Sequence, residues 1–368
     1  MKRINIMIKP ASSLCDMRCS YCFYSNVAAS RTHASMGIMT RETAAALISN
    51  TLPQLTPGDH ITFAFQGGEP GLAGLDFFMF FIDKVKKSTP PRVKVDYAMQ
   101  TNGLMIDDNW CNFFKKNKFL IGLSLDGDLA LHNQNRMDSI GKGTFSRVMK
   151  AKKMLDQHNV MYNILCVLTQ ESARRAKRIW DFILQEKISH IQFIPCMEPL
   201  GENPKEGPAL TSDRFYRFYS TLFPLWKKEA ERGNIVSIRL FEDLASLFLA
   251  GQPVTCGISG SCTPQIIVEA DGGVYPCDFY VLDEHQVSDL TTHSLEEVFN
   301  AVVKSSFLKE QRRPLPGCEK CQHNRWCKGG CKRMARAVYG EGCGMRLFLD
   351  ERLGELLAVY RLILRQSQ

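Results

Sequence analysis

Six short runs rich in branched and aromatic residues recur over the first two-thirds of the chain, with a helical stretch between successive runs. This alternation restricts the fold more than any other feature. The runs are 4–8, 61–65, 93–99, 120–125, 163–168 and 191–194. Each is bounded by turn-forming residues and reads as a strand. Thr40 ahead of 42–50, Asp107 ahead of 109–116 and Thr144 ahead of 145–157 stand where helix N-caps belong. Strands and helices in strict alternation predict a parallel sheet of βα units. By itself the alternation fits a doubly wound sheet or a partial (β/α) barrel.

Beyond Pro199 the pattern changes. Residues 201–208 read as an irregular Gly/Pro/Glu/Lys connection, 211–232 as a long amphipathic helix and 242–249 as another. From Cys256 to Cys343 the chain is rich in loops and cysteine, with one hairpin expected from 265–268 through Asp271-Gly272-Gly273 to 274–275. A region with so much irregular backbone needs staples.

The chain has 368 residues, 45% apolar and 23% charged, which speaks against disorder and suggests about two domains. No run of ~18 apolar residues is present, so no membrane span is expected. Met1 to Pro10 lacks a signal-peptide core, so a cytoplasmic location is expected. Two totals stand out, a net charge of +8 and 14 cysteines. A cytosolic chain does not keep so many thiols for disulfides, and their spacing points to metal.

Cys15-x3-Cys19-x2-Cys22 follows the first strand. Three thiolates on one short loop suit three corners of a 4Fe–4S cube and leave one iron open to a ligand. Zinc would need a fourth donor, and the nearest histidine is His33. A second set comprises Cys256, Cys262 and Cys277, then Cys318, Cys321, Cys327, Cys331 and Cys343. Eight thiols make two four-thiolate sites. Alone they would read as structural zinc, but beside the first motif they read as two further iron–sulfur clusters.

Cys15-x3-Cys19-x2-Cys22-Phe23-Tyr24 resembles the signature of radical S-adenosylmethionine (SAM) enzymes, and Gln66-Gly67-Gly68-Glu69-Pro70 resembles their SAM amino-group motif. The cysteine-rich tail resembles a SPASM domain. Phe63-Ala64-Phe65, Gln100-Thr101-Asn102-Gly103, Ser124-Leu125-Asp126-Gly127 and Tyr275-Pro276-Cys277-Asp278-Phe279-Tyr280 resemble anaerobic sulfatase-maturating enzymes. The resemblance runs from about Ile4 to Cys343. It implies an α/β fold, a partial (β/α)6 radical SAM barrel followed by a small loop-rich SPASM domain with two auxiliary 4Fe–4S clusters. The barrel with its bridging helix would span 1–235, and the SPASM domain with a C-terminal helix 236–368.

The same resemblance implies site roles. Backbone at Gly68 would meet the SAM amino group, Ser124 and Arg136 its carboxylate region, and Tyr21 and Met197 its adenosine. Arg136 offers the planar fork a carboxylate prefers. One auxiliary cluster would take Cys256, Cys262, Cys277 and Cys331, the other Cys318, Cys321, Cys327 and Cys343. Asp278 would be the base that removes a thiol or hydroxyl proton from the substrate.

The implied cofactors are three 4Fe–4S clusters and SAM. The implied activity is oxidation of a cysteine or serine in a sulfatase peptide to Cα-formylglycine through a 5′-deoxyadenosyl radical. An unfolded sulfatase or other peptide would be the substrate and a flavodoxin- or ferredoxin-type protein the electron donor. The chain would act as a monomer, without nucleic acid or membrane. The rivals are a SPASM maturase that crosslinks a ribosomal peptide through thioether or carbon–carbon bonds, and a zinc-stapled binding module without catalysis. The basic run at 174–178 reads as a solvated face, and the eight histidines show no metal or triad spacing. Cys111, Cys166 and Cys196 remain as core thiols. Three clusters with their thiolates would bring the net charge to about +3, so the basicity is largely counter-charge for metal.

Overall fold

The computed structural model describes residues 1–201, 207–252, 255–310 and 315–366. Ten strands follow in chain order: β1 (Arg3–Ile8), β2 (His60–Phe65), β3 (Lys94–Thr101), β4 (Phe119–Ser124), β5 (Met161–Leu168), β6 (His190–Pro195), β7 (Ser237–Ile238), β8 (Ile266–Val268), β9 (Gly273–Tyr275) and β10 (Ser288–Asp289). The first six match the six runs expected from the sequence, with helices between them. The chain forms two compact units. One comprises Met1–Ser124, Arg136–Tyr162 and Pro264–Glu310, the other Leu125–Asn135, Asn163–Thr263 and Gln311–Gln368.

In the first unit the strands lie in the order β10-β9-β8-β1-β2-β3-β4. Neighbours from β1 to β4 are parallel, as βα units require. The inward alternation is strict: Ile6 and Ile8 on β1 and Ile61, Phe63 and Phe65 on β2 are fully buried. Phe65 packs edge-on against Phe78 and Phe81 of the helix Leu75–Ser88, with ring centroids 5.0 and 5.2 Å away. The expected hairpin forms as β8 and β9, antiparallel. It also joins the main sheet, for β8 runs parallel to β1.

The expected caps divide. Thr40 accepts from the Thr43 N–H and Asp107 from the Trp110 N–H, starting the helices Arg41–Thr51 and Asp108–Asn117. Thr144 does not cap Phe145–Gln157. It is buried, its backbone is already helical, and its hydroxyl donates instead to the Arg136 carbonyl at 2.9 Å.

In the second unit β6 lies between β5 and β7, parallel to both. The long helix appears as Ser212–Glu231, capped by Thr211, and the next as Arg239–Ala250. Together with Gly344–Gln366 they enclose an aromatic core. Phe241 sits there fully buried, stacked on Phe348 at 5.9 Å and edge-on to Trp226 at 4.9 Å. Most of the expected irregular connection, 202–206, lies outside the described residues. The basic run opens with a 3-10 turn before the helix Ala176–Gln185, and its side chains pair with Glu171, Asp181 and Asp128 at the surface. Cys111, Cys166 and Cys196 are buried, as expected of core thiols. No helix among the described residues is long and apolar enough to cross a membrane.

Phe241→Ala would remove the centre of the aromatic core and should cost ~3–5 kcal/mol. Thr211→Ala, which removes only a cap, should cost ~1 kcal/mol. Denaturant unfolding followed by far-ultraviolet circular dichroism checks both; similar losses for the two variants would contradict this picture of the core.

Candidate active site

The carboxyl end of β1 is the centre of the site, because β2 and β8 flank it in register. Ile8 pairs with Phe65 on one side and Val268 on the other. The next residues, Lys9, Gln66 and Glu269, therefore leave the sheet at the same level. Ligands in parallel sheets bind at such ends.

The cysteine loop runs from β1 to the helix Phe23–Ala29, with Cys15 and Cys19 half-buried and Cys22, at the N-cap position, exposed. The Gly-Gly-Glu segment lies directly against it. The Gly68 N–H donates to the Ser12 carbonyl at 2.8 Å and the Glu69 N–H to the Leu14 carbonyl at 2.7 Å. Gly67 has φ +137°, a region that favours glycine, and a Cβ on Gly68 would fall 2.0 Å from the Leu14 oxygen. Glycine is thus required here by the packing of one backbone on another. Since its N–H is engaged, Gly68 presents a carbonyl as its remaining polar group, the right polarity for an ammonium ion.

Glu69 is fully buried and accepts from the Gly71 N–H, the Thr101 hydroxyl and the Asn102 N–H. Burial pushes its carboxyl up to about 7 in spite of these donors. Burial likewise pushes the Cys15 thiol up to about 12.

Arg136 and Tyr21 lie side by side. The guanidinium sits 5.5 Å from the Tyr21 ring centre, with Nη1 4.0 Å from the Cys19 sulfur. Ser124 ends β4. Met197 follows β6 and is buried.

Asp278 is no exposed turn residue. It is 7% exposed, at the start of a 3-10 turn beyond β9, directly after Cys277. Its Oδ1 pairs with Lys9 Nζ at 2.5 Å and its Oδ2 accepts from Gln66 Nε2 at 3.0 Å. The Lys9 side chain is wholly buried and its ammonium lies 4.0 Å over the Tyr24 ring. Tyr24 in turn donates to Glu269, which also pairs with Arg31 at 2.6 Å. Burial works to raise Glu269, but Tyr24 and Arg31 outweigh it and hold the carboxyl below its usual range.

Sequence reasoning missed Lys9, Arg31 and Glu269. The one available signal was a lysine closing an apolar strand immediately before Pro10.

In the second unit Cys318, Cys321, Cys327 and Cys343 line a single cavity of about 90 Å³. His323, also at the cavity, bonds Asp350 at 2.8 Å. Burial raises the Cys327 and Cys343 thiols. Elsewhere in this unit the segment after Cys256 packs on Cys331: a Cβ on Gly257 would lie 3.4 Å from the Cys331 sulfur. Cys262 is half-buried, as is Cys277 in the first unit. None of the 14 cysteines, all among the described residues, forms a disulfide. Among the described residues no three His, Cys, Asp or Glu side chains converge as a single metal ion would require.

Residues 10–183 match the Radical SAM superfamily and 261–322 match an iron–sulfur cluster-binding domain, SPASM. The cysteine-type anaerobic sulfatase-maturating enzyme of Clostridium perfringens (strain 13 / Type A) is 40% identical over 334 residues, 90% of each chain. The serine-type anaerobic sulfatase-maturating enzyme of Klebsiella aerogenes is 31% identical over 89% of this chain and 79% of its own. A solved structure of native anSMEcpe with bound AdoMet and Cp18Cys peptide superimposes with a TM-score of 0.88 at 35% identity, covering 98% of this chain and 99% of that one. The α/β fold is therefore that of a radical SAM domain joined to a SPASM domain, and the chain belongs to the anaerobic sulfatase-maturating enzymes.

Proposed function

We propose that the chain oxidises a cysteine or serine side chain of a sulfatase peptide to Cα-formylglycine, directly for serine and, for cysteine, through a thioaldehyde that water hydrolyses with release of hydrogen sulfide. The observation that carries this reading is the buried Asp278 carboxylate, held from two sides by Lys9 and Gln66 and adjacent to Cys277. Residues 1–235 would carry the radical chemistry and 236–368 the auxiliary clusters.

The donor sets fit the groups they would hold. Cys15, Cys19 and Cys22 on one loop leave one iron corner open for SAM. Cys318, Cys321, Cys327 and Cys343 ring a cavity, which suits a four-iron cube. The remaining auxiliary ligands and the place of Met197 follow the family assignment. When bound, the first cluster and SAM would supply a 5′-deoxyadenosyl radical able to remove the substrate β-hydrogen, and the auxiliary clusters would supply an electron acceptor.

The chain's own residues do the rest. The Gly68 carbonyl accepts from the SAM ammonium. Arg136, with its guanidinium fixed over Tyr21, pairs with the SAM carboxylate alongside Ser124. Asp278 accepts the thiol or hydroxyl proton at a carboxylate oxygen. Lys9 and Gln66 fix that carboxylate, so proton transfer starts from an oriented base. The chain acts as a monomer in the cytoplasm and receives electrons from a small flavodoxin- or ferredoxin-type protein.

Incubating reduced, iron-loaded enzyme and SAM with a Cys/Ser-x-Pro/Ala-x-Arg peptide should yield an aldehyde trapped by a hydrazide and seen by mass spectrometry. A peptide that loses hydrogen alone, with no trappable aldehyde, would overturn the reading. Asp278→Asn should lower aldehyde formation ~10²–10⁴-fold. It should spare 5′-deoxyadenosine release, and unchanged aldehyde formation would remove Asp278 from the role. Cys343→Ala should cost about four irons per chain and leave the first cluster's electron paramagnetic resonance (EPR) signal intact. Full iron content in that variant would exclude Cys343 as a ligand.

A further inference from the structure

We propose that Asn102 is the positioning residue of the first cluster, donating a side-chain N–H to the Cys15 sulfur, and that the Glu69 carboxylate anchors Asn102 for this role. The inference rests on the reading that the Cys15 loop binds a cluster.

Glu69 belongs to the segment associated with SAM, yet its carboxylate is spent on the protein. Oε1 accepts from the Gly71 N–H at 2.9 Å and the Thr101 hydroxyl at 2.9 Å, and Oε2 from the Asn102 N–H at 2.7 Å. Three donors compensate a charge buried this deeply. They also pin residues 101 and 102 at the end of β3, where the Gly103 N–H returns to the Thr101 hydroxyl at 3.0 Å.

The Asn102 amide can point only one way. The Leu104 N–H donates to its Oδ1 at 2.9 Å, which identifies the oxygen and sends Nδ2 in the opposite direction. Nδ2 has two hydrogens and meets two acceptors, Asp16 Oδ1 at 2.6 Å and Cys15 Sγ at 3.9 Å. Cys15 also receives the Met17 N–H at 3.4 Å. Ionised acceptors hold donors more tightly than neutral ones, so the long contact to the thiol would shorten once iron makes it a thiolate.

The consequence is electronic as well as geometric. A donor on a ligand sulfur withdraws charge from it and favours the extra electron of the reduced cluster, which raises the reduction potential. Asp16, the other acceptor, secures the donor to the loop that carries the cysteine. Asn102 thus couples the end of β3 to the first iron ligand.

The test is an EPR-monitored redox titration of the iron-loaded full chain, reading the first cluster by the change that SAM causes in its signal. Asn102→Ala removes the donor; Asn102→Asp keeps the acceptor for Leu104 but turns a carboxylate oxygen toward sulfur. At the wild-type midpoint the reduced-to-oxidised ratio of the first cluster should fall about tenfold in Asn102→Ala, ~59 mV for one electron. It should fall further in Asn102→Asp, with auxiliary-cluster signals unmoved. Selective loss of first-cluster iron with auxiliary iron retained would also support the assignment. If Asn102→Ala does not fold, Asn102→Asp decides alone. An intact first cluster with an unshifted midpoint overturns the proposal. A wild-type chain that binds no iron at the Cys15 loop would instead overturn the underlying reading.

Discussion

The placement of β1 between β2 and β8, parallel to both, is the constraint on which the site depends. Three strand ends in register bring together segments that lie far apart along the chain: the cysteine loop, the Gly-Gly-Glu strap, and the hairpin that leads to Cys277 and Asp278. A one-residue slip in either pairing would turn Ile6 and Ile8 away from the core and carry Lys9 to the other face. The hydrophobic alternation that fixes the register therefore also fixes the chemistry above it.

Register also explains how four ionisable groups share a dry interior. Lys9 pairs with Asp278, and Arg31 with Glu269. Each pair is neutral, with Gln66 and Tyr24 adding neutral donors. Buried pairs of this kind contribute little to stability compared with a well-packed apolar alternative, while losing one partner is costly. Their value here is orientational. The carboxylate beside Cys277 is gripped at both oxygens, and its neighbours cannot rotate away without exposing an uncompensated charge.

Much of this was legible in the sequence. Strand positions follow from period-two patterning, and the cysteine and glycine motifs announce themselves by spacing. Other features could not be read because their partners lie hundreds of residues away. Nothing local tells that Val268 neighbours Ile8, and without that pairing Lys9 looks like an ordinary surface lysine. Thr144 carried the cap chemistry but was drawn to the Arg136 carbonyl, a tertiary partner overriding a local preference. Gly68 also meets a requirement that no local pattern reveals: the glycine accommodates Leu14 of the cysteine loop. By contrast, Ser294 and Glu297 form a capping box that starts the helix Leu295–Lys304, a local signal that was present and unread.

The pairing of β1 with β8 has a consequence during synthesis. The N-terminal strand cannot gain its second neighbour until the ribosome has made some 260 further residues, so one edge stays open while most of the chain emerges. The Cys15 loop is complete long before Asp278 and Lys9 can meet at the end of β1. Such late, non-local closure is slow by nature, so the edge of β1 that β8 will cover is open to mispairing for most of synthesis.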